Sequence, residues 1–127
     1  MSVLDLLTRT KASLLFVLIG VEKGRFPVKL KHDEYIIGRA TKEEREKFFK
    51  TNDDWIKVIG DKIAIRPLLG SKISRKHAKL HWNGSTYRIT ALKDMWVNGK
   101  KITGRKTPLR SGDKLLLKNS FDILYFI

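Results

Sequence analysis

The sequence predicts an all-β domain, a sandwich or a barrel of about ten or eleven short strands. Two Asn-Gly dipeptides, Asn83-Gly84 and Asn98-Gly99, stand between β-branched and aromatic residues. That pattern is a hairpin signal, because the tight turn needs positive φ at its centre and these residues tolerate it. Short apolar runs recur between turn residues along nearly the whole chain, at strand rather than helix spacing. The length, 127 residues, suits one core. Hydrophobic residues at 42% can fill that core, while 31% charged residues leave a very polar surface.

In order, residues 1–13 read as an extension carrying a short helical turn. Ser2 with Asp5 resembles a capping box, and Val3, Leu4, Leu6 and Leu7 form an apolar stripe at helical spacing. The sandwich domain proper is expected over 14–127. Leu14 to Ile19, Phe26 to Leu30 and Glu34 to Ile37 are strand-like runs, separated by Gly20, Gly24 and Asp33. Residues 41–65 read as an insertion between strands. It opens with a helix over Thr41 to Lys50, where Thr41 and Glu44 make a capping box and Phe48 and Phe49 are the expected anchors. Its alternating charges suit a solvated helix. Strands resume at Trp55 to Ile59 and Ile63 to Ile65 around Gly60-Asp61, then at His77 to Trp82, Tyr87 to Thr90, Met95 to Val97, Leu115 to Leu117 and Phe121 to Phe126. Gly112-Asp113 is expected to turn the chain into the second-last of these.

Composition narrows the function. Without cysteine, disulfides, thiol catalysis and cysteine-based zinc sites are excluded. Leu14 to Ile19 is far short of the roughly 20 apolar residues of a membrane helix. Asp5 and the lack of a small-residue cleavage site argue against a signal peptide. An intracellular protein with no membrane partner is expected. Lys and Arg number 27 against 13 Asp and Glu, for a net charge of +14. Residues 71–127 hold 13 basic and 3 acidic side chains, so +10 of the surplus lies there. Such a field attracts polyanions, whether nucleic acid, anionic lipid or phosphorylated and acidic protein.

Specific chemistry begins with Arg39 and Ser74. A phosphate dianion is well held by a guanidinium fork together with hydroxyl and backbone N–H donors, each charge-assisted bond contributing about 1.5–3 kcal/mol. Both residues stand at strand ends, where a sandwich gathers its loops. Ser74 and His77 do not make a catalytic pair, since nothing is placed to orient the imidazole and no oxyanion hole is visible. His32 and His81 are isolated, so no metal or other cofactor is expected.

Four landmarks occur in order: Gly38-Arg39, Ile73-Ser74-Arg75-Lys76-His77-Ala78, Val97-Asn98-Gly99-Lys100-Lys101-Ile102, and Leu109-Arg110-Ser111-Gly112-Asp113. The set resembles the forkhead-associated (FHA) family over residues 14–127. Leu69-Gly70-Ser71-Lys72, leading into Ile73-Ser74, is similar to FHA domains of fungal forkhead-type transcription regulators. The resemblance implies a two-sheet FHA-like β-sandwich, related to the SMAD fold, that binds a phosphothreonine peptide of a partner protein without being an enzyme. It implies that Arg39 and Ser74 contact the phosphate, that Arg75 lines the same pocket, and that Lys72 lies along the loop reading residues beyond the phosphothreonine. Gly38, His77, Asn98 and Gly99 would support the site structurally, His77 by hydrogen bonding between loops. A role in signalling or transcription, in nucleus or cytoplasm, accompanies it.

One stretch departs from the family. Members carry Ser-x-Asn-Gly-Thr where this chain reads Ala91-Leu92-Lys93-Asp94-Met95-Trp96, shorter and without the asparagine that holds the peptide backbone. Either Asp94 replaces that acceptor, with Lys93 offsetting its charge, or its carboxylate repels the phosphate. At an effective dielectric near 20 and a separation of about 6 Å the repulsion costs on the order of 3 kcal/mol. The second outcome leaves a basic scaffold with a degenerate pocket, binding nucleic acid or a constitutive protein partner through its charge.

Overall fold

The computed structural model describes residues 9–19, 24–67, 72–118 and 120–127. The helical turn expected in 1–8 lies outside them. Two six-stranded sheets face each other. In the first, β2 (Arg25–Leu30) flanks β1 (Ala12–Val17), followed by β12 (Asp122–Phe126), β11 (Lys114–Leu117), β8 (Met95–Val97) and β9 (Lys100–Lys101). The second runs β10 (Thr107–Pro108), β7 (Tyr87–Ala91), β6 (Ala78–Trp82), β3 (Glu34–Arg39), β5 (Lys62–Ile65) and β4 (Ile56–Ile59). The one described helix, α1, spans Lys42–Phe48.

Period-two alternation makes these strands. In β1 every second side chain, Ala12, Leu14 and Phe16, is buried, and from the other sheet Tyr35, Ile37, Ile63, Ile65, Leu80 and Ile89 meet that face in one cluster. Tyr35, Tyr87 and Tyr125 pack edge-on or tilted at 6.4–6.5 Å between ring centres. Their hydroxyls stay bonded: Tyr87 donates to the His32 carbonyl at 2.6 Å, and Tyr125 accepts from the Tyr87 N–H at 3.2 Å. Burial pushes the Tyr87 phenol well above its usual range.

The structure differs from the expectation in four places. Twelve strands are present among the described residues, because Lys100–Lys101 and Thr107–Pro108 pair as two-residue edges. The sheet begins at Ala12, two residues before the expected boundary. Residues 41–65 are only partly an insertion: β5 lies beside β3, parallel to it, with Arg39 opposite Ile65, and Ile63, Ala64 and Ile65 are fully buried. Only the stretch between Thr41 and Trp55 leaves the sheet. Phe48 is not an anchor, being 43% exposed; Phe49, the C-cap residue, is the one half-buried.

Because β3 and β5 are parallel and β6 antiparallel to β3, the ends of β3, β5 and β7 and the starts of β4 and β6 all lie along one rim. No described helix is long and apolar enough to cross a membrane.

Candidate functional site

That rim brings the first two landmarks together. The Arg39 N–H donates to the Ser74 carbonyl at 2.9 Å, and the His77 N–H to the Ile37 carbonyl at 2.9 Å. The chain at Ser74–Arg75 thereby crosses directly over Gly38. A Cβ there would collide with the Arg75 carbonyl and stand 2.7 Å from that of Ser74. Gly38 lies in the extended backbone of β3, so its missing side chain serves the close approach of the 74–75 backbone.

His77 is completely buried beneath this crossing. The Ser74 N–H donates to Nδ1 at 3.1 Å, so Nδ1 is unprotonated; Nε2–H therefore donates to the Asp94 carbonyl at 2.6 Å. The Leu92 and Lys93 N–H groups donate back to the His77 carbonyl at 2.9 and 3.1 Å. One neutral imidazole thus ties the 72–77 loop to the 92–94 loop. Burial holds its pKa below the ordinary 6.5, against the opposing pull of the Asp94 carbonyl and charge. Both ring nitrogens are committed, which leaves neither for the Ser74 hydroxyl. His32 and His81 face Asp61 and Glu34 at the opposite rim, at 2.8 and 3.2 Å.

Arg39 and Arg75 line one open cavity of about 720 Å³. Ser74 is not itself part of that lining; it precedes Arg75 on the same loop and meets Arg39 through its carbonyl, and because both of its loop contacts use backbone atoms the fold does not recruit its hydroxyl. Lys72 is exposed on the same loop. Lys93 and Asp94 do not line this cavity; they border a separate depression of about 470 Å³ with Lys101, Ile102 and Thr103. Lys101, not Lys93, offsets the carboxylate, at 3.4 Å from Asp94 Oδ1. Asn98 and Gly99, at φ 52° and 80°, form the β8–β9 hairpin turn. Asn98 is tied to the 110–114 turn by its Nδ2 bond to Asp113 Oδ1 and by the Lys114 N–H donating to Oδ1, both 2.9 Å. The turn sits at the end of β8 away from Asp94, so it steadies the loops only through that strand.

The cavity also holds residues that sequence reasoning did not single out. Lys42 and Arg45 reach it from α1, and Arg66 from the end of β5, beside Phe49. The capping box is formed: Thr41 Oγ1 accepts from the Glu44 N–H at 3.1 Å, and Glu44 Oε1 from the Thr41 N–H at 2.8 Å. It starts the helix immediately beyond Arg39, which puts Lys42 and Arg45 next to the rim. That proximity of capping box and Arg39 was the available signal. Burial raises the Glu44 pKa, but the Lys62 ammonium at 2.7 Å and the Thr41 N–H outweigh it and hold the carboxyl below its ordinary 4.5.

The match to known proteins follows this geometry. Residues 35–118 match the model of the FHA domain, and the chain belongs to that family. A search of curated protein sequences returns no match. Among solved structures, the FHA domain of the CT664 protein from Chlamydia trachomatis is 22% identical, with a TM-score of 0.60 over 91% of this chain and 97% of that one. The yeast Pml1 splicing factor is 19% identical, with a TM-score of 0.63 over 94% of this chain and 81% of its own. An FHA domain solved in work on phosphothreonine-dependent FHA interactions is 19% identical, with a TM-score of 0.59 over 91% and 96%. At these identities the likeness is one of fold.

Proposed function

We propose that the chain is a phosphothreonine-peptide binding module that recruits a partner once a kinase has marked it, and is not an enzyme. The observation that carries the reading is the backbone crossing that sets the Arg39 strand end against Ser74–Arg75. It gathers a guanidinium, a hydroxyl and a second guanidinium at one rim, the donor set a phosphate dianion needs. Arg39 and Ser74 hold the phosphate and Arg75 adds charge. Lys72 flanks the peptide beyond it. The loop at Lys93 and Asp94 borders the peptide path, with the Asp94 carboxylate neutralised by Lys101. FHA membership and the phosphothreonine-dependent relative support the assignment. A place in signalling or transcription, the forkhead-type kinship and a nuclear location belong to the same proposal.

Titration calorimetry with a degenerate phosphothreonine peptide library, its unphosphorylated counterpart and duplex DNA tests it. Phosphate-dependent binding that Arg39→Ala abolishes is the expected result. Binding that ignores phosphorylation and falls steeply with salt for DNA would instead identify the basic scaffold.

A further inference from the structure

The cavity beside Arg39 carries more positive charge than one phosphate can use. Its lining includes Arg39, Lys42, Arg45, Arg66 and Arg75 and no carboxylate. Three of the five acids of the surrounding segment pair with other cations, Glu43 with Lys47 at 3.2 Å, Glu44 with Lys62 at 2.7 Å and Asp54 with Lys57 at 3.3 Å, while Glu46 and Asp53 are exposed and do not line the cavity. Among the described residues, none of the five cavity cations forms an ion pair.

Two of them are nonetheless held in place. Arg45 donates from Nη1 to the Ala40 carbonyl at 3.1 Å. Arg66 donates to the Thr51 and Asn52 carbonyls at 2.6 and 3.2 Å, with its guanidinium 5.6 Å from the Phe49 ring centre and 5.3 Å from that of Trp55. Carbonyls and aromatic faces orient a guanidinium without cancelling its charge, and each still has N–H groups to offer. A lysine-rich solvated surface would leave such side chains to solvent.

We propose that this cavity binds two phosphates of one partner segment, the phosphothreonine at Arg39 and Ser74 and a second phosphorylated residue at Lys42, Arg45 and Arg66. The proposal rests on the phosphopeptide reading above. One dianion against five cations leaves three positive charges facing each other, whereas two dianions come close to balance. A carboxylate side chain supplies the same kind of anion with half the charge, so the experiment separates the two.

The test is calorimetry on the full chain with three peptide sets of one sequence: a single phosphothreonine, a second phosphoserine scanned along the flanking positions, and aspartate at those same positions. At one register the second phosphate should tighten binding by about tenfold or more, a gain that aspartate does not match. Arg66→Gln should remove the gain while leaving affinity for the single phosphate within about twofold. Lys42→Gln, at an exposed position, should reduce the gain and keeps the test valid if Arg66→Gln perturbs folding. A gain equal at every register, insensitive to both variants, or matched by aspartate would overturn the second phosphate site alone. Failure of the wild-type chain to bind any singly phosphorylated peptide would overturn the phosphopeptide reading and this inference together.

Discussion

At the scale of single residues, Ser74 separates binding from folding. Its backbone carries both loop contacts, so Ser74→Ala should leave the thermal midpoint nearly unchanged while weakening phosphopeptide binding by about tenfold or more, one charge-assisted bond. A matched loss of stability would show that the hydroxyl is structural. Gly38→Ala should do the opposite: the added carbon meets rigid backbone, so destabilisation of about 3 kcal/mol or more is expected in urea unfolding. The two landmarks were legible as a guanidinium and a hydroxyl standing at strand ends, the residue types an anion site uses, although β4 and β5 separate them along the chain. The reason for Gly38 was not legible, since it depends on a chain segment 36 residues further on. Nor was the Asp94 partner: adjacency in sequence favours Lys93, while pairing of β8 with β9 delivers Lys101.

At the scale of elements, the loops of the rim depend on the neutral state of His77. In the unfolded chain it takes up a proton near pH 6.5, whereas its folded pKa lies lower. Its contribution is therefore full above pH 6.5 and is lost as pH falls from there through the folded pKa. Urea unfolding at pH 7.5 and pH 5.5 should show lower stability at the acid value, and a histidine-to-glutamine replacement at position 77 should flatten that difference. An unchanged difference would place its cause elsewhere. In the helix, Thr41→Ala removes the cap and should cost about 1 kcal/mol, read as faster amide exchange confined to residues 42–48. Hairpins and long strands were readable from alternation and Asn-Gly pairs. Strands β9 and β10 were not, being two residues long, one of two lysines and the other ending in proline.

Across the whole molecule, the core was visible in outline from periodicity, since nearly every buried strand position falls in a run the pattern marks. What no pattern shows is the parallel pairing of β3 and β5, because register between strands 23 residues apart is set by the rest of the sheet. The alternating charges between them do form the solvated helix they suggest, but without that pairing nothing along the chain shows that Arg45 from the helix and Arg66 just beyond β5 reach one cavity. The charge surplus acts at this scale too. Phosphopeptide affinity should fall with rising salt through long-range attraction, while the loss caused by Arg39→Ala persists at high salt because that contact is direct. Convergence of mutant and wild type at high salt would show a diffuse field instead.

The parallel step also gives the excursion between Thr41 and Trp55 an unusual freedom. It is pinned at its base, where the Ala40 N–H donates to the Ile65 carbonyl and the Arg66 N–H to the Trp55 carbonyl, each at 2.8 Å. Everything between those clasps can be lengthened, shortened or exchanged with little burden on the frame, as loop closure varies only slowly with length. Grafting a different stretch there would leave the Arg39–Ser74 crossing standing and, on the proposed reading, alter which company the marked threonine keeps.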